Sequence, residues 1–241
     1  MKSSHNKILI TGGATGIGLG MTERFLKDNN TVIICGRREE VLNEVATNFP
    51  EVIIKQCDLS VEAGRIGLYN WVAEHHSDLN VLVNNAGIQN RGHVADEDFF
   101  KNAKQEININ ILAPLHLIEL FLQLKSLTTI MNVSSGLAFI PFSQAAVYSA
   151  TKAFVRSFTL SLRHQLKDSG VEVIEIIPPA LNTDLGGKGL HDAAPPVSDF
   201  IVSIFEQLKN GRHELTFGTS EARAATNNDS IAEYFNKLNP S

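Results

Sequence analysis

The sequence is poor in cysteine and basic residues, and it has no long apolar run. Its 241 residues include only Cys35 and Cys57, both in apolar strand-like stretches, which indicates buried free thiols rather than a disulfide. No segment approaches the roughly 18 apolar residues that span a bilayer, and the start MKSSHNKILITGG has no signal-like apolar run. We therefore expect a cytoplasmic protein with no membrane partner. With 21 Lys+Arg against 26 Asp+Glu, no broad basic face is expected, which argues against nucleic acid as a partner.

Repeats, low-complexity segments and Pro/Gly/Ser-rich linkers are also missing, so we expect one domain over residues 1–241. Short Val- and Ile-rich runs alternate with longer stretches of helical spacing, a pattern typical of parallel βαβ units in an α/β fold. The predicted strands cover 7–11, 31–35, 52–57, 81–84, 128–133 and 171–177, with a strand-like ELTFG after residue 213. The predicted helices cover 18–27, 39–48, 61–75, 99–124 and 146–166.

A glycine-rich turn, TGGATGIG at 11–18, follows the first predicted strand and precedes a helical stretch. Glycine lets a pyrophosphate approach the backbone closely, and the helix N-terminus offers unpaired N–H groups to the anion. Such a turn can also be purely structural. Its position at the first βα junction, where a doubly wound sheet binds dinucleotides, favours the dinucleotide interpretation.

The second predicted strand is followed by two arginines. Gly36 stands where an NAD-binding protein usually carries an acid, and Arg37, with Arg38 as a second donor, would accommodate a 2′-phosphate. The alternative is a solvated basic pair neutralised by Glu39 and Glu40. The spacing from the glycine turn favours NADP(H) over NAD(H).

Tyr148 and Lys152 are four residues apart in a helical pattern, so both lie on one helix face. An adjacent ammonium lowers the pKa of a phenol, which prepares it for acid–base chemistry. A lone YxxxK can also be a surface pair. Here Ser134-Ser135 and the NNAG at 84–87 end two predicted strands, and Asn110 lies in an apolar helical stretch.

Together these residues resemble the short-chain dehydrogenase/reductase family over nearly the whole chain. The matching motifs are TGGATGIG, Asp58 after the third strand, NNAG, the helix asparagine, a serine thirteen residues before the tyrosine, YSATK, and PPALNT at 178–183. The resemblance implies a three-layer Rossmann fold, with a doubly wound parallel sheet of about seven strands and helices on both faces. It also implies hydride transfer between NADP(H) and a small-molecule carbonyl or alcohol. IPPALNTDL and the short tail look most like uncharacterised bacterial oxidoreductases of this family.

The resemblance also implies the residue roles. The catalytic residues would be Asn110, Ser135, Tyr148 and Lys152; the spacing favours Ser135 over Ser134, and Ala113 three residues later favours Asn110 over Asn108. In reduction, Ser135 and Tyr148 would bind the carbonyl oxygen and Tyr148 would donate the proton. Lys152 would lower the phenol's pKa and bind the nicotinamide ribose, and Asn110 would hold a relay water. The implied cofactor-binding residues are Gly12, Thr15, Gly16, Ile17, Gly18, Arg37, Arg38, Asp58, Leu59, Asn85, Ala86, Gly87, Tyr148, Lys152, Pro178 and Thr183.

Several features leave alternatives open. The same residues could serve an NAD-dependent alcohol dehydrogenase, and a non-catalytic dinucleotide-sensing regulator would keep the glycine turn. The irregular stretch 178–196 is interpreted as a loop beside the site, with His191 as a possible substrate contact. The eight histidines include no HExxH pair, and His75-His76 are interpreted as surface residues, so no metal site is expected.

Two further expectations concern the substrate pocket and assembly. Leu137, Phe139, Ile140 and Phe142 either face a hydrophobic substrate or pack beneath the loop. By the resemblance, we expect a homodimer or homotetramer formed through the helices that carry Asn110 and Tyr148.

Overall fold

The computed structural model describes residues 1–226 and 230–239. Its seven strands form one parallel sheet in the order β3-β2-β1-β4-β5-β6-β7, which confirms the predicted doubly wound topology. The strands are β1 Lys7–Thr11, β2 Thr31–Gly36, β3 Ile53–Gln56, β4 Val81–Asn84, β5 Thr129–Val133, β6 Glu172–Ile177 and β7 Glu214–Thr216. The order reverses between β1 and β4, and a crevice opens at such a reversal along the carboxyl edge of the sheet.

Helices cover both faces of the sheet. They are α1 Gly16–Lys27, α2 Glu39–Asn48, α3 Glu62–His75, α4 Phe99–Ile107, α5 Ala113–Phe121, α6 Ala146–Gln165, α7 Val197–Lys209, α8 Thr219–Ala224 and α9 Ile231–Leu238. Within the described ranges, no helix is long and apolar enough to cross a bilayer.

The core lies in two layers because each strand is apolar on both faces. On one face, Phe25 of α1 and Phe205 of α7 pack edge to face, with ring centroids 4.8 Å apart. On the other face, α3, α5 and α6 bury residues such as Leu68, Phe121 and Leu162 against the sheet. Both cysteines are buried free thiols, as predicted.

The helices differ from the prediction in three places, one of which is α7, Val197–Lys209, where no helix was predicted. The single predicted helix over 99–124 is divided by a π-helical turn, Asn108–Leu112, and ends at Phe121. The polar tail, for which no helix was predicted, forms α8 and α9. Both are short, and α8 is anchored by buried Ser220, whose hydrogen bond to the Ile177 carbonyl local periodicity does not reveal.

Candidate active site

A cavity of about 1170 Å³ opens along the carboxyl edge of the sheet at the β1–β4 reversal. The structure places every cofactor-binding residue implied by the resemblance in its lining, from the glycine turn to Thr183, together with Ser135, Tyr148 and Lys152. Asn110, the fourth implied catalytic residue, does not line the cavity and lies behind its wall. A second, smaller pocket of about 380 Å³ shares Arg37 and Asp58 with this cavity.

The glycine turn is tied to the end of β4 by side-chain hydrogen bonds. Thr11 Oγ1 accepts bonds from the N–H groups of Asn85 and Ala86, at 2.9 and 3.0 Å. Asn85 Nδ2 donates back to the carbonyl oxygens of Thr11 and Gly12, at 2.9 and 3.1 Å. The Asn85 side chain therefore holds the turn in shape, a role the sequence motif alone did not reveal.

Glycine is required in this turn for steric reasons. Gly16 adopts φ +52°, and a Cβ on Gly18 would lie 2.1 Å from the carbonyl oxygen of Gly12. The N-cap residue of α1, Thr15, makes no side-chain capping bond, and the first turn contains no acid. The positive end of α1 therefore faces the cavity with its N–H groups available to an anion.

The second strand delivers two arginines to the far end of the cavity. Within the described part of the chain, neither Arg37 nor Arg38 forms an ion pair. The structure therefore does not pair these arginines with Glu39 or Glu40. Asp58 lies nearby. Hydrogen bonds from Ser60 hold the pKa of Asp58 below its usual value, and the charge of Arg37 acts in the same direction. Asp58 does not cap α3, whose N-cap is Val61.

Tyr148 and Lys152 lie one turn apart on α6 and are both almost fully buried. Lys152 Nζ lies 5.6 Å from the centre of the Tyr148 ring and donates a 2.9 Å hydrogen bond to the carbonyl oxygen of Val133. Burial lowers the pKa of Lys152 to about 8. The ammonium is thus held beside the ring by the end of β5.

Burial opposes the expected acidification of the phenol. Burial raises the pKa of Tyr148, a hydrogen bond with Ser135 opposes that rise, and the negative charge of Glu106 adds to it. Lys152 donates its hydrogen bond to the Val133 carbonyl, and burial remains the largest influence on the pKa of Tyr148. Tyr148 is therefore a protonated phenol at neutral pH.

The two serines at the end of β5 have different partners. Ser134 Oγ donates to the carboxylate of Glu175 at 2.5 Å and is fully buried. Ser135 Oγ accepts a bond from Leu137 N at 3.1 Å, and the Ser135 side chain acts to lower the pKa of Tyr148. The predicted preference for Ser135 as the residue beside the tyrosine agrees with this geometry.

Asn110 acts on the backbone of the loop after β4. Its Oδ1 accepts a bond from Ile88 N at 2.9 Å, and its Nδ2 donates to Ile88 O at 2.9 Å and to Thr151 Oγ1 at 3.1 Å. The π-helical turn turns this buried amide toward Ile88. With Oδ1 and Nδ2 bonded to protein atoms, the Asn110 side chain joins the loop to α6.

The walls around the substrate end combine both predicted arrangements. Leu137 and Phe142 line the cavity, as does His191, whereas Ile140 is buried away from it. The Phe139 ring lies beneath the Arg156 guanidinium, 5.1 Å from its central carbon. Among the described residues, no three His, Cys, Asp or Glu side chains converge in a way that could hold a metal ion.

Five charged residues near the site were not predicted from the sequence. Arg156, four residues after Lys152, pairs with fully buried Glu175 and with Glu214 at 2.8 Å. Glu106 is buried against the N–H of Asn90, and burial raises its pKa. Arg223 of α8 lines the cavity. Two sequence signals were available for the ion pair between Arg156 and Glu175. Arg156 continues the four-residue spacing of Tyr148 and Lys152, and Glu175 is an acid inside the apolar run of β6.

Fold, cavity and motifs together define an oxidoreductase of the short-chain dehydrogenase/reductase family, to which this chain belongs. A model of the family described as "short chain dehydrogenase" matches residues 6–193. The chain is 42% identical over 230 residues to an uncharacterized oxidoreductase, DltE, of Bacillus subtilis, covering 90% of this chain and 89% of that protein.

Solved structures of low identity share the fold. A short-chain dehydrogenase from Burkholderia cenocepacia in complex with NADP superposes with a TM-score of 0.84 at 23% identity, covering 98% of this chain and 99% of that one. A short-chain dehydrogenase/reductase from Burkholderia phymatum in complex with NAD also gives 0.84, at 18% identity, with 100% and 99% coverage. Proteins of this fold therefore bind either NADP or NAD.

Proposed function

We propose that the chain, as a single domain over residues 1–241, is an NADP(H)-dependent dehydrogenase/reductase of a small-molecule carbonyl or alcohol, with Tyr148 as general acid and base. One observation carries the proposal: a single cavity contains both an anion-binding glycine turn and the buried cluster of Ser135, Tyr148 and Lys152. A site for binding alone would not need a buried phenol and ammonium at its centre.

The lining fits a dinucleotide phosphate. The uncapped end of α1 would receive the pyrophosphate, and Arg37 and Arg38, which have no acidic partner in the described ranges, would receive a 2′-phosphate. When bound, the nicotinamide supplies or accepts the hydride. Thr183 and Lys152 line the cavity where the nicotinamide half would lie.

The chain's own residues supply the proton chemistry. Ser135 and Tyr148 both line the cavity and would both donate to a carbonyl oxygen, which would stabilise the negative charge that develops there during reduction. The raised pKa of Tyr148 keeps its proton in place until an alkoxide, a far stronger base, forms beside it. Lys152, anchored on Val133, orients the phenol, and its low pKa lets it exchange protons near neutral pH.

The test of this chemistry is an NADPH-oxidation screen over aldehydes, ketones, diketones and quinones. We expect turnover of at least one class, and Tyr148→Phe should lower kcat by about 100-fold or more while NADPH still binds. Binding without turnover of any carbonyl would favour a dinucleotide-sensing regulator. Unchanged kcat in Tyr148→Phe would refute the role of the phenol.

Coenzyme preference is tested by titrating NADPH and NADH separately. Loss of a charge-assisted hydrogen bond weakens binding by about tenfold or more, so Arg37→Ala should raise the Kd of NADPH by that factor and leave NADH nearly unchanged. Arg212→Ala, which removes an exposed arginine far from the cavity, is the matched control. Equal affinity of the wild type for both coenzymes would support the NAD-dependent alternative.

We also propose a homodimer or homotetramer. The helices around Asn110 and Tyr148 expose large apolar side chains: Phe100, Ile107 and Leu112 on one side, and Phe154 and Leu160 on α6. Their burial between copies would remove this surface from water. Light scattering should show an oligomer that Phe154→Glu weakens; a wild-type monomer at micromolar concentration would contradict the proposal.

A further inference from the structure

Arg223 is a charged residue of the cavity that the proposed hydride and proton chemistry does not use. It lies on α8, half-buried, in the same lining as Ser135, Leu137 and Tyr148. Across residues 1–226 and 230–239, its guanidinium makes no hydrogen bond or ion pair, and burial alone lowers its pKa. A guanidinium that gives up solvation without an anion is destabilising, so such a group is suited to receive one from a ligand.

The backbone beneath Arg223 is firmly anchored. Ser220, one turn earlier and fully buried, donates a 2.5 Å hydrogen bond to the carbonyl oxygen of Ile177 and accepts a 3.0 Å bond from Phe217 N. The residue after Ser135, Gly136, donates to Pro178 O at 2.9 Å. These bonds fasten both α8 and the turn after β5 to the segment at the end of β6.

Arg223 packs directly against the turn that carries Ser135. A Cβ built on Gly136 would lie 3.3 Å from Ser220 Cα and 3.4 Å from Arg223 Cδ, so the arginine stem passes over this glycine. The arginine stem is thereby held against the residue that follows Ser135. An arginine of the outer surface would have no such constraint on its stem.

Charges at this end of the cavity are mainly positive. Arg91 also lines it, and Asp184 is the one acid among the described lining residues there. The carboxylate of Glu106 is turned to the backbone of Asn90 and is not part of the lining. The electrostatic balance therefore favours an anionic substrate over a cationic one.

We propose that Arg223 binds a carboxylate of the substrate, so that the substrates are oxo acids and the corresponding hydroxy acids. The planar guanidinium matches a carboxylate with two parallel N–H to oxygen bonds, which fixes the orientation of the carbonyl relative to Ser135 and Tyr148. This inference rests on the proposed function, since it names the substrate class of the same site.

The experiment compares acids with their neutral methyl esters. NADPH oxidation is measured with 2-oxobutanoate, 3-oxobutanoate and 4-oxopentanoate and with each ester. We expect the wild type to favour at least one acid, and Arg223→Gln to lower the acid-to-ester ratio of kcat/KM by about 10- to 100-fold. Arg223→Lys, which keeps the charge but loses the planar fork, should recover part of the ratio.

Arg212→Gln removes the same charge from an exposed position and should leave the ratio at its wild-type value. Turnover of carbonyl compounds with an acid-to-ester ratio that Arg223→Gln does not change would overturn the inference and leave the proposed function standing. A preference for dihydroxyacetone phosphate over dihydroxyacetone, without any preference among the acid pairs, would overturn the carboxylate assignment.

Failure of the proposed function is recognised separately, as the absence of NADPH oxidation with every compound. A thermal-unfolding assay then tests whether Arg223 binds a carboxylate. 3-Oxobutanoate should raise the unfolding midpoint of the wild type but not that of Arg223→Gln, and its methyl ester should raise neither. Equal shifts in both proteins, or none, would overturn it. Circular dichroism of Arg223→Gln and Arg223→Lys checks that both variants fold.

Discussion

Replacing Lys152 with methionine is expected to raise the free energy of unfolding at neutral pH, although the residue lies at the centre of the site. Burial lowers the pKa of Lys152 from 10.5 to about 8, so the folded protein holds this proton less tightly than the unfolded chain does. At about pH 7 both states are protonated, and keeping the charge in the folded state costs about 3 kcal/mol.

Methionine removes this cost and keeps most of the side-chain volume. It also removes the hydrogen bond to the Val133 carbonyl, a loss of about 1 kcal/mol, so the net gain is about 2 kcal/mol at about pH 7. The sign depends on pH. As pH rises from about 8 toward 10.5, the folded wild type loses the proton first and its penalty shrinks, so the advantage of methionine should approach zero near about pH 9.5.

Urea unfolding at about pH 7 and about pH 9.5, followed by circular dichroism and by the fluorescence of the single tryptophan, measures this difference. Lys209→Met, an exposed lysine in the last turn of α7, is the matched control and should leave the wild-type pH profile in place. The reasoning is refuted if Lys152→Met is less stable than the wild type at about pH 7, or if its stability difference does not change with pH. Turnover should be lost in Lys152→Met even where stability rises.

Three other substitutions test the packing around the site. Gly18→Ala should lower the free energy of unfolding by about 2 kcal/mol or more, because its Cβ would overlap the carbonyl oxygen of Gly12, whereas Gly67→Ala, in open space on α3, should raise it by about 1 kcal/mol; equal effects in urea unfolding would contradict this. Arg156→Met should lower the free energy of unfolding by about 3–5 kcal/mol, because it leaves the buried carboxylate of Glu175 without its cation. Adding Glu175→Gln should restore most of that free energy. Additive losses in a double-mutant cycle would argue against the ion pair. Thr11→Val removes the acceptor of two backbone N–H groups and should cost about 1–3 kcal/mol and weaken NADPH binding, as read by unfolding and titration; unchanged affinity would show that the turn keeps its shape without this hydroxyl.

The strands, the order of elements and most site positions could be predicted from sequence because their signals are local. An apolar run such as 7–11 can be buried on both sides only in a covered sheet, and strand ends at one edge bring distant motifs together. The glycine turn and Tyr148 reach one cavity for that reason alone.

The remaining features depend on contacts between distant residues. Whether Tyr148 is made more or less acidic depends on its burial and on the positions of Ser135 and Glu106, which only the folded chain brings together. The role of Asn110 depends on Ile88 and Thr151, which no spacing rule connects to it. Arg223 lies in a polar tail whose sequence gives no sign that α8 folds back over Ser135.

The π-helical turn at Asn108–Leu112 makes the exact number of residues in this stretch important. The amino-acid composition of the stretch does not reveal this constraint. An α-helical residue advances the helix by about 100°, so one residue fewer here would restore a regular helix and swing Asn110 off Ile88. The loop after β4 would then lose its link to the helix of Tyr148. Across relatives, this stretch should tolerate exchanges of apolar residues but reject single insertions and deletions.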